Sequence, residues 1–376
     1  MTKRTPTLAD LIDLRLNRRG LMRGAAALAV ASPFSAAAQE AGPSSLTFKE
    51  LAHTLDDKQH VAEGYDMQVL IRWGDPVLAD APPFDPEKLM GAGQEKQFGY
   101  NNDYLGLHAL PYGSKGSDRF LLVVNHEYAN SNLMFAGLGS GREARLKTTR
   151  EQVGVEMASL GGAVLEIARE GGPWKVVAGS KYARRLSANT AMEISGPAAG
   201  HDKMKTNADP GGRKVFGTFA NCAGGSTPWG TWLTCEENIQ SYFGGDASKL
   251  PDVDLGKRYG LGRPGTAWDR YVDRFNMDKE PNEPNRFGWV VEIDPYEPQS
   301  IPVKRTALGR FAHEGATYAL AKDGRVVFYS GDDARFEYVY KFVTSRPWNP
   351  NDRAANKNLL DEGTLSVARF DADGKV

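Results

Sequence analysis

The feature that most constrains this chain is a pattern of short apolar runs that occurs three times after residue 119. In each pass, a strand-like run ends in acidic or amide residues, and a second run that begins with glycine follows some tens of residues later. The three pairs of runs are 120–127 with 162–167, 230–238 with 288–293, and 325–333 with 363–371. Repeated short strands are typical of radial or stacked β architectures, of which the β-propeller is the commonest closed form. We therefore predict an all-β fold and expect a β-propeller.

Glycine and proline support the same fold class. The 376 residues include 41 Gly and 21 Pro, which recur between the apolar runs and so favour strands and turns over long helices. The spacing of the three passes is irregular, which indicates insertions. Residues 187–214 and 242–286 are predicted to be long inserted loops.

The N-terminal segment has the order of a bacterial secretory signal. A polar region leads to the paired arginines Arg18 and Arg19, then to an Ala-rich apolar run and a small-residue cleavage site before Gln39. Paired arginines before a weakly hydrophobic stretch are typical of the twin-arginine route. We predict a signal over 1–38 and one domain over 39–376, exported to the periplasm or the exterior. The alternative is a basic amphipathic helix on the mature protein.

Charge and hydropathy bear on the partners of the chain. The formal net charge is −1, but the first 38 residues carry a surplus of basic residues, so the remainder is at about −5. That balance provides no general attraction to nucleic acid. After the signal, no run approaches the roughly 18 to 20 apolar residues of a membrane span. We expect the twin-arginine export machinery as a partner, no nucleic acid, no stable membrane span, and a monomer.

The two cysteines, Cys222 and Cys235, leave three interpretations open. They are too few for a disulfide framework and too far apart for a CxxC motif. One disulfide, two buried thiols, or a thiolate that binds a metal ion would each be compatible with the sequence.

Acidic and amide side chains lie at the ends of the apolar runs, several in each pass. Clustered carboxylates repel one another and resist burial, so a set that converges on one place requires cations or protonation. In a propeller, strand ends that face the axis would bring such side chains together. Glu, Asp and Asn suit hard ions such as calcium, magnesium or ferric iron. The pattern therefore indicates a site for hard metal ions.

Several of these candidates also have a simpler interpretation. Asn125 and Glu127 are compatible with a solvated strand end, and Asp332 is compatible with a turn. Successive residues of a strand point to opposite faces, so only one of Glu236 and Glu237 is expected to reach the ions.

Glu314 follows His313 and stands near Arg305 and Arg310. This group is compatible with a surface ion-pair patch, which would contribute little stability. Alternatively, Glu314 binds metal and an arginine holds a phosphoryl oxygen through two hydrogen bonds, a geometry that suits guanidinium. The sequence lacks the GxxxxGK[ST], HExxH and GxSxG motifs, which argues against P-loop, zincin and serine-hydrolase chemistry.

Five segments carry a resemblance to a known family: 125–128, 152–157, 221–238, 311–317 and 331–342. The longest reads NCAGGSTPWGTWLTCEEN and is specific. Together they resemble the PhoX-type alkaline phosphatases, which are exported by the twin-arginine route. The resemblance implies a six-bladed β-propeller that depends on calcium and iron, so Ca2+ and Fe3+ are the expected cofactors.

The resemblance also implies roles for individual residues. The metal ligands expected first are Asn125, Glu127, Glu156, Glu237 and Glu314, and those expected next are Glu236 and Asp332. Arg310 is the expected clamp for the phosphate group, and Glu314 is the second expected catalytic residue. The family centre resembles one with a cysteine thiolate on iron, and either cysteine could match that ligand.

The implied function is phosphate release from phosphomonoesters, with a metal-bound oxygen as nucleophile, in the service of phosphate acquisition. Two alternatives stay open: a non-catalytic, calcium-stabilised propeller that binds a partner or glycan, and a propeller hydrolase of lactones or phosphotriesters. Family members are longer, so we expect the propeller to be incomplete at the C-terminus. The sequence would then be a fragment, or a truncated and inactive product.

Overall fold

The computed structural model describes residue 49, residues 51–116 and residues 118–371. The predicted twin-arginine signal lies outside these residues. The chain divides into two units, residues 1–67 and residues 68–376. The described part of the first unit has no helix or strand, and in it the ring of His60 lies 2.8 Å from a carboxylate oxygen of Asp56.

The first sheet of the second unit has five antiparallel strands. Strand β2 lies between β1 and β3, and both β4 and β5 pair with β3. The bounds are β1 Asn102–Ala109, β2 Arg119–His126, β3 Gly161–Ala168, β4 Lys175–Val176 and β5 Arg184–Leu186.

The second sheet has six strands in the order β7-β6-β11-β10-β9-β8. The pair β6 and β11 is parallel, and the other pairs are antiparallel. The bounds are β6 Ala191–Ser195, β7 Lys214–Phe216, β8 Asn221–Ser226, β9 Trp232–Glu236, β10 Val290–Ile293 and β11 Val303–Arg305.

The third sheet has four antiparallel strands in sequence order. Their bounds are β12 Thr317–Leu320, β13 Arg325–Gly331, β14 Val339–Pro347 and β15 Gly363–Val367.

The helices are short and lie between the strands. The α-helices are α1 Gly91–Gln94, α2 Ser131–Met134, α3 Gly141–Arg145, α4 Arg150–Ser159, α5 Val253–Arg258 and α6 Trp268–Tyr271. The 3-10 turns are Asp202–Met204, Ile239–Tyr242, Ala247–Lys249, Asp273–Phe275, Glu283–Arg286, Thr306–Leu308, Ala354–Asn356 and Leu359–Asp361. Helix α4 begins with a capping box, in which Thr149 and Gln152 satisfy each other's backbone N–H groups. Among the described residues, no helix has the length and apolar character of a membrane span.

Two hydrophobic cores lie between consecutive sheets. Because side chains alternate along a strand, β2 sends Leu121 and Val123 into the core shared with the second sheet, and Leu122 and Val124 into a core on its other face. The core between the second and third sheets includes Leu233, Val290, Val326, Phe328 and Phe342. Each sheet is thus packed face to face against the next.

The two segments predicted to be inserted loops are more ordered than expected. Residues 187–214 contribute β6 to the second sheet, and residues 242–286 contain α5, α6 and several 3-10 turns. Trp268 and Phe275 of the second segment are fully buried and pack on Phe219. The prediction of loops was therefore wrong for both segments. Irregularly spaced aromatic residues give no periodic pattern in the sequence, but in the fold they still bury their apolar surface.

The described residues are mainly β, with few and short helices, which confirms the all-β class. The strands form three separate sheets, and among the described residues no sheet closes on itself.

Candidate metal centre

Four carboxylates and one thiol converge at one end of the strands, and we call them the metal cluster: Asp103, Glu127, Cys222, Glu237 and Glu314. One ligand atom from each of Asp103, Glu127 and Cys222 lies within 4.8 Å of the other two. The same holds for Cys222, Glu237 and Glu314, so the sulfur of Cys222 is common to both groups.

Strand register explains why these residues meet. Asn102 at the start of β1 pairs with His126 at the end of β2, so Asp103 and Glu127 lie at the same edge of the first sheet. In the second sheet, Asn221 pairs with Glu236, which places Cys222 and Glu237 at its corresponding edge. Residues far apart in sequence therefore share one place.

Two glycines of β8 allow the three sheets to come close. A Cβ on Gly225 would lie 1.9 Å from the main-chain oxygen of Ala316, and one on Gly224 would lie 2.9 Å from the ring of Tyr104. The Ala316 N–H also donates to the Gly224 oxygen at 3.1 Å. A side chain at either glycine would push apart elements that carry Asp103, Cys222 and Glu314.

Glu314 is positioned by its neighbours in the segment before β12. The ring of His313 is fully buried, with Nδ1 at 2.9 Å from Ser330 Oγ and Nε2 at 3.0 Å from the Gly309 oxygen. The Glu314 N–H donates to the Gly331 oxygen at 3.0 Å. The interpretation of this segment as a surface ion-pair patch was wrong for His313, which serves as an anchor.

Asn125 holds the main chain that carries Cys222 of the metal cluster. Its side-chain N–H donates to the main-chain oxygens of Cys222 and Ala223, the latter at 3.1 Å. Its Oδ1 atom is buried and has no hydrogen-bond partner among the described residues. A buried amide oxygen without a partner is costly, and a bound cation would satisfy it.

The electrostatics of the cluster favour a cation. Burial, followed by the charges of Asp103 and Glu314, raises the pKa of Glu127 to about 7. Burial, together with Glu314 and Asp333, raises the pKa of Glu237 to about 7. Burial also raises the pKa of the Cys222 thiol, as does its contact with Glu314. Each shift reflects the cost of burying a charge and, after it, of placing like charges together, and a bound cation would offset both costs and release protons.

The donor atoms of the cluster fit metal ions. Carboxylate and amide oxygens suit hard ions such as calcium and ferric iron, and a thiolate suits iron better than calcium. Asp103, Glu127, Cys222, Glu237, Glu314 and the Oδ1 atom of Asn125 would supply both kinds of donor.

The structure separates the two members of the Glu236-Glu237 pair. Glu237 lies in the cluster, whereas Glu236 is fully buried on the other side of β9. Its Oε1 pairs with Lys304 Nζ at 2.7 Å, and its Oε2 accepts from the N–H groups of Gly288 and Trp289 at 3.0 and 3.2 Å. Glu236 was therefore wrong as a metal ligand, because its charge is already balanced within the second sheet.

Glu156 and Asp332 also lie outside the cluster. Glu156 on α4 is buried, and its oxygens accept from Ser131 Oγ at 2.6 Å and Trp268 Nε1 at 2.8 Å. The Asp332 carboxylate caps its own turn at Ala334 N and faces Arg258. Both were predicted as ligands, and the contacts of both are instead with protein donors. The neighbour Asp333 lines the same cavity as Glu237 and helps to raise the pKa of Glu237.

Arg310 does not have the contacts of a phosphate clamp. Its guanidinium is buried, donates to the main-chain oxygens of Phe287 at 2.7 Å and Pro284 at 2.8 Å, and stacks 4.0 Å from the ring of Tyr259. It therefore fixes the segment 242–286 to the second sheet. The sequence suggested the clamp because Arg310 is close to Glu314 along the chain, but its side chain points elsewhere.

The cysteines take different roles. Both are free thiols, which excludes the disulfide. The Cys222 sulfur lies 3.3 Å from an oxygen of Glu314 and 3.6 Å from one of Asp103. Cys235 is buried in the core between the second and third sheets.

Sequence reasoning missed Asp103 and Asp333. Asp103 begins a strand that precedes the first of the three repeated passes, and Asp333 was considered only as the second half of a turn. The signal for Asp103 was present, since an acidic residue opens the apolar alternation of β1.

A cavity of about 440 Å³ adjoins the metal cluster. Glu237 and Asp333 line it, together with the end of α5 and the residues that follow α5.

The fold and the site together define a class: a mainly β protein with a cluster of carboxylates and one thiol, suited to metal ions, at the strand ends. Within that class the family can be stated. The family described as Alkaline phosphatase PhoX matches residues 46–376, so the chain belongs to the PhoX alkaline phosphatase family. The resemblance seen in the sequence is confirmed.

One solved structure is similar over most of this chain. It is described as Pseudomonas fluorescens PhoX in complex with vanadate, a transition state analogue. The identity is 47%, the TM-score is 0.77, and the match covers 83% of this chain and 53% of that chain. The chain thus spans about half the length of this relative. A search of curated proteins found no match.

Proposed function

We propose that the chain is a metal-dependent phosphomonoesterase that releases inorganic phosphate from organic esters. The observation that carries this proposal is the convergence of Asp103, Glu127, Cys222, Glu237 and Glu314 from three sheets, in a chain of the PhoX family. The vanadate complex of the similar structure supports it, because vanadate is named there as a transition-state analogue.

We further propose calcium and ferric iron as the ions. Glu127 with Asp103, and Glu237 with Glu314, would supply oxygens to two positions, and Cys222 would lie between them. Bound there, the ions would supply Lewis acidity, lower the pKa of bound water and neutralise phosphoryl charge. The residues themselves orient the site, since Asn125 holds the backbone at Cys222 and His313 holds the segment of Glu314.

Charge sets the order of binding. A phosphomonoester carries a charge near −2 at neutral to alkaline pH, and the cluster contributes further carboxylates. Two like-charged groups in a site of reduced dielectric repel strongly. The substrate therefore enters the cavity only after cations have bound, so metal loading precedes substrate binding.

The architecture we propose is a six-bladed propeller, in which the three sheets are three blades. The sheets pack face to face in sequence order, and their strand ends converge at the metal cluster. Both features are expected of neighbouring blades around an axis.

Removing the metal ions tests the function. We expect the chain, loaded with calcium and iron, to release phosphate from a generic phosphomonoester at alkaline pH, and a calcium chelator to abolish release. Full activity after complete chelation would contradict the proposal. A fall in melting temperature without hydrolysis under any metal would favour the calcium-stabilised binding protein. Hydrolysis of lactones or phosphotriesters alone would favour the other hydrolase.

We also propose export to the periplasm by the twin-arginine route, which rests on Arg18 and Arg19. Substituting both, Arg18→Lys with Arg19→Lys, is expected to leave the chain in the cytoplasm of a bacterium that has this route. Cell fractionation and immunoblotting measure the distribution. Arg4→Lys is the matched control and should be exported normally. If the double variant were found in the periplasm with its signal removed, the twin-arginine route would be refuted.

A further inference from the structure

The cavity beside the metal cluster has a cationic wall. Helix α5 contributes Lys257 and Arg258 to its lining, which also includes Glu237 and Asp333. Lys257 is largely exposed and lies 3.5 Å from Asp254 on its own helix. Arg258 is the residue that reaches across the cavity.

Arg258 is held in place by carboxylates of the segment that joins β13 to β14. Its Nη1 and Nη2 atoms donate to the two oxygens of Glu337 at 2.8 and 3.1 Å, and Nη2 lies 3.5 Å from Asp332. The Arg258 side chain is 41% exposed. The pair with Glu337 occupies two of the five N–H donors of a guanidinium. The pair with Glu337 thus orients the Arg258 guanidinium, which is still exposed enough to contact a ligand that enters the cavity.

The position of Arg258 relative to the cluster depends on Tyr259 and Arg310. The Tyr259 hydroxyl donates to the main-chain oxygen of Arg310 at 2.7 Å, and the Arg310 guanidinium stacks on the Tyr259 ring. Asp332, which Arg258 contacts, is followed by Asp333, which lines the same cavity as Glu237. Arg258 therefore lines the same cavity as Glu237 of the metal cluster.

We propose that Arg258 binds the phosphoryl group of the substrate, and that it exchanges Glu337 for phosphoryl oxygens when the substrate enters. This inference rests on the proposed function. A phosphoryl group presents two oxygens with a spacing like that of a carboxylate, so the paired geometry toward Glu337 suits it equally. Glu337 then acts as a competitor that keeps the guanidinium aligned in the free protein.

The test uses the full chain loaded with calcium and iron, with vanadate and inorganic phosphate as probes in a calorimetric titration. We expect Arg258→Met to weaken binding of both by about 10- to 100-fold, as loss of a charged hydrogen bond does. We expect Glu337→Gln to strengthen binding several-fold, because the competitor loses its charge. The double variant should lose that gain. Lys279→Met is the control, because this exposed lysine lies in residues 242–286, the segment that also contains Arg258. The control variant should bind as the unaltered chain does.

The outcomes separate this inference from the proposed function. If the unaltered chain neither binds vanadate nor hydrolyses a phosphomonoester, both are overturned. If it does both while Arg258→Met binds vanadate equally well, only the role of Arg258 is overturned. Should Arg258→Met fail to fold, Glu337→Gln decides, because a purely structural pair would give unchanged or weaker binding.

Discussion

Glu237→Gln is expected to reduce phosphate release to background. Glu237 is buried, lies in the group with Cys222 and Glu314, and has its pKa raised to about 7 by burial and neighbouring charges. The amide keeps the size of the side chain but removes the charge that a cation would neutralise. Loss of a partner in the outer shell of a metal site already costs about 10- to 100-fold in affinity, so loss of a direct ligand should cost at least about 100-fold.

Two measurements check this result. Elemental analysis after dialysis reports the metal content, and a phosphomonoester assay reports the rate. Glu193→Gln is the matched control, because Glu193 is exposed on β6, and both its metal content and its rate should be unchanged. A Glu237→Gln protein with normal metal content and a normal rate would show that Glu237 is not a ligand.

Lys304→Met is expected to produce the largest loss of stability. Lys304 is fully buried, and its Nζ lies 2.7 Å from Glu236 Oε1 and 3.7 Å from the centre of the Phe287 ring. Burial lowers the pKa of Lys304 to about 8, and Glu236 opposes that shift. Removing one partner leaves an uncompensated buried charge, which costs about 3 to 5 kcal/mol in the free energy of unfolding.

Denaturant unfolding of the chelated and the metal-loaded protein measures this loss. Lys279→Met is the control, since its pair with Asp273 is exposed and contributes about 1 kcal/mol or less. The double variant Lys304→Met with Glu236→Gln should recover part of the loss, because the orphaned charge is gone. A loss below about 1 kcal/mol in Lys304→Met would mean that the N–H groups of Gly288 and Trp289 suffice to stabilise the buried Glu236 carboxylate.

The two predictions assign different roles to two adjacent residues at the end of β9. Glu236 and Glu237 are adjacent, yet one is expected to matter for stability and the other for metal binding. A variant at Glu237 should leave the metal-free protein folded, because relief of repulsion among carboxylates offsets the lost contacts. A variant that breaks the Glu236 and Lys304 pair should unfold more easily with or without metal.

The metal cluster also couples the three sheets. Asp103 and Glu127 come from the first sheet, Cys222 and Glu237 from the second, and Glu314 precedes the third. Because a cation would bind all of them only in the folded arrangement, metal binding would contribute directly to folding stability. The same ions would therefore hold the sheets together and prepare the site for an anionic substrate.

Part of the site was predictable from the sequence. Asn125, Glu127, Glu237 and Glu314 end or flank apolar runs, and strand alternation predicts that only one residue of an adjacent pair faces the cluster. The strand runs themselves were visible because β2, β3 and β13 show apolar patterns of the right length. The family resemblance rested on the same segments.

The rest of the site required the fold. Asp103 joins Glu127 only through the pairing of β1 with β2, and Cys222 is distinguished from Cys235 only by which side of the second sheet each faces. Arg310 is near Glu314 in sequence, but its Nε and Nη2 atoms donate to main-chain oxygens, whereas Arg258 lines the cavity from a different segment.

The sequence by itself determined the all-β class, the family and the chemical character of the site. Those properties depend on local periodicity and on residue type, and both can be read from the sequence without knowledge of the fold. Only the tertiary structure decided which carboxylates converge in the metal cluster and which are balanced by a buried lysine or by backbone N–H groups. The reason is that strand register and sheet packing bring together residues that are far apart in sequence, and the charge environment of a carboxylate depends on those neighbours.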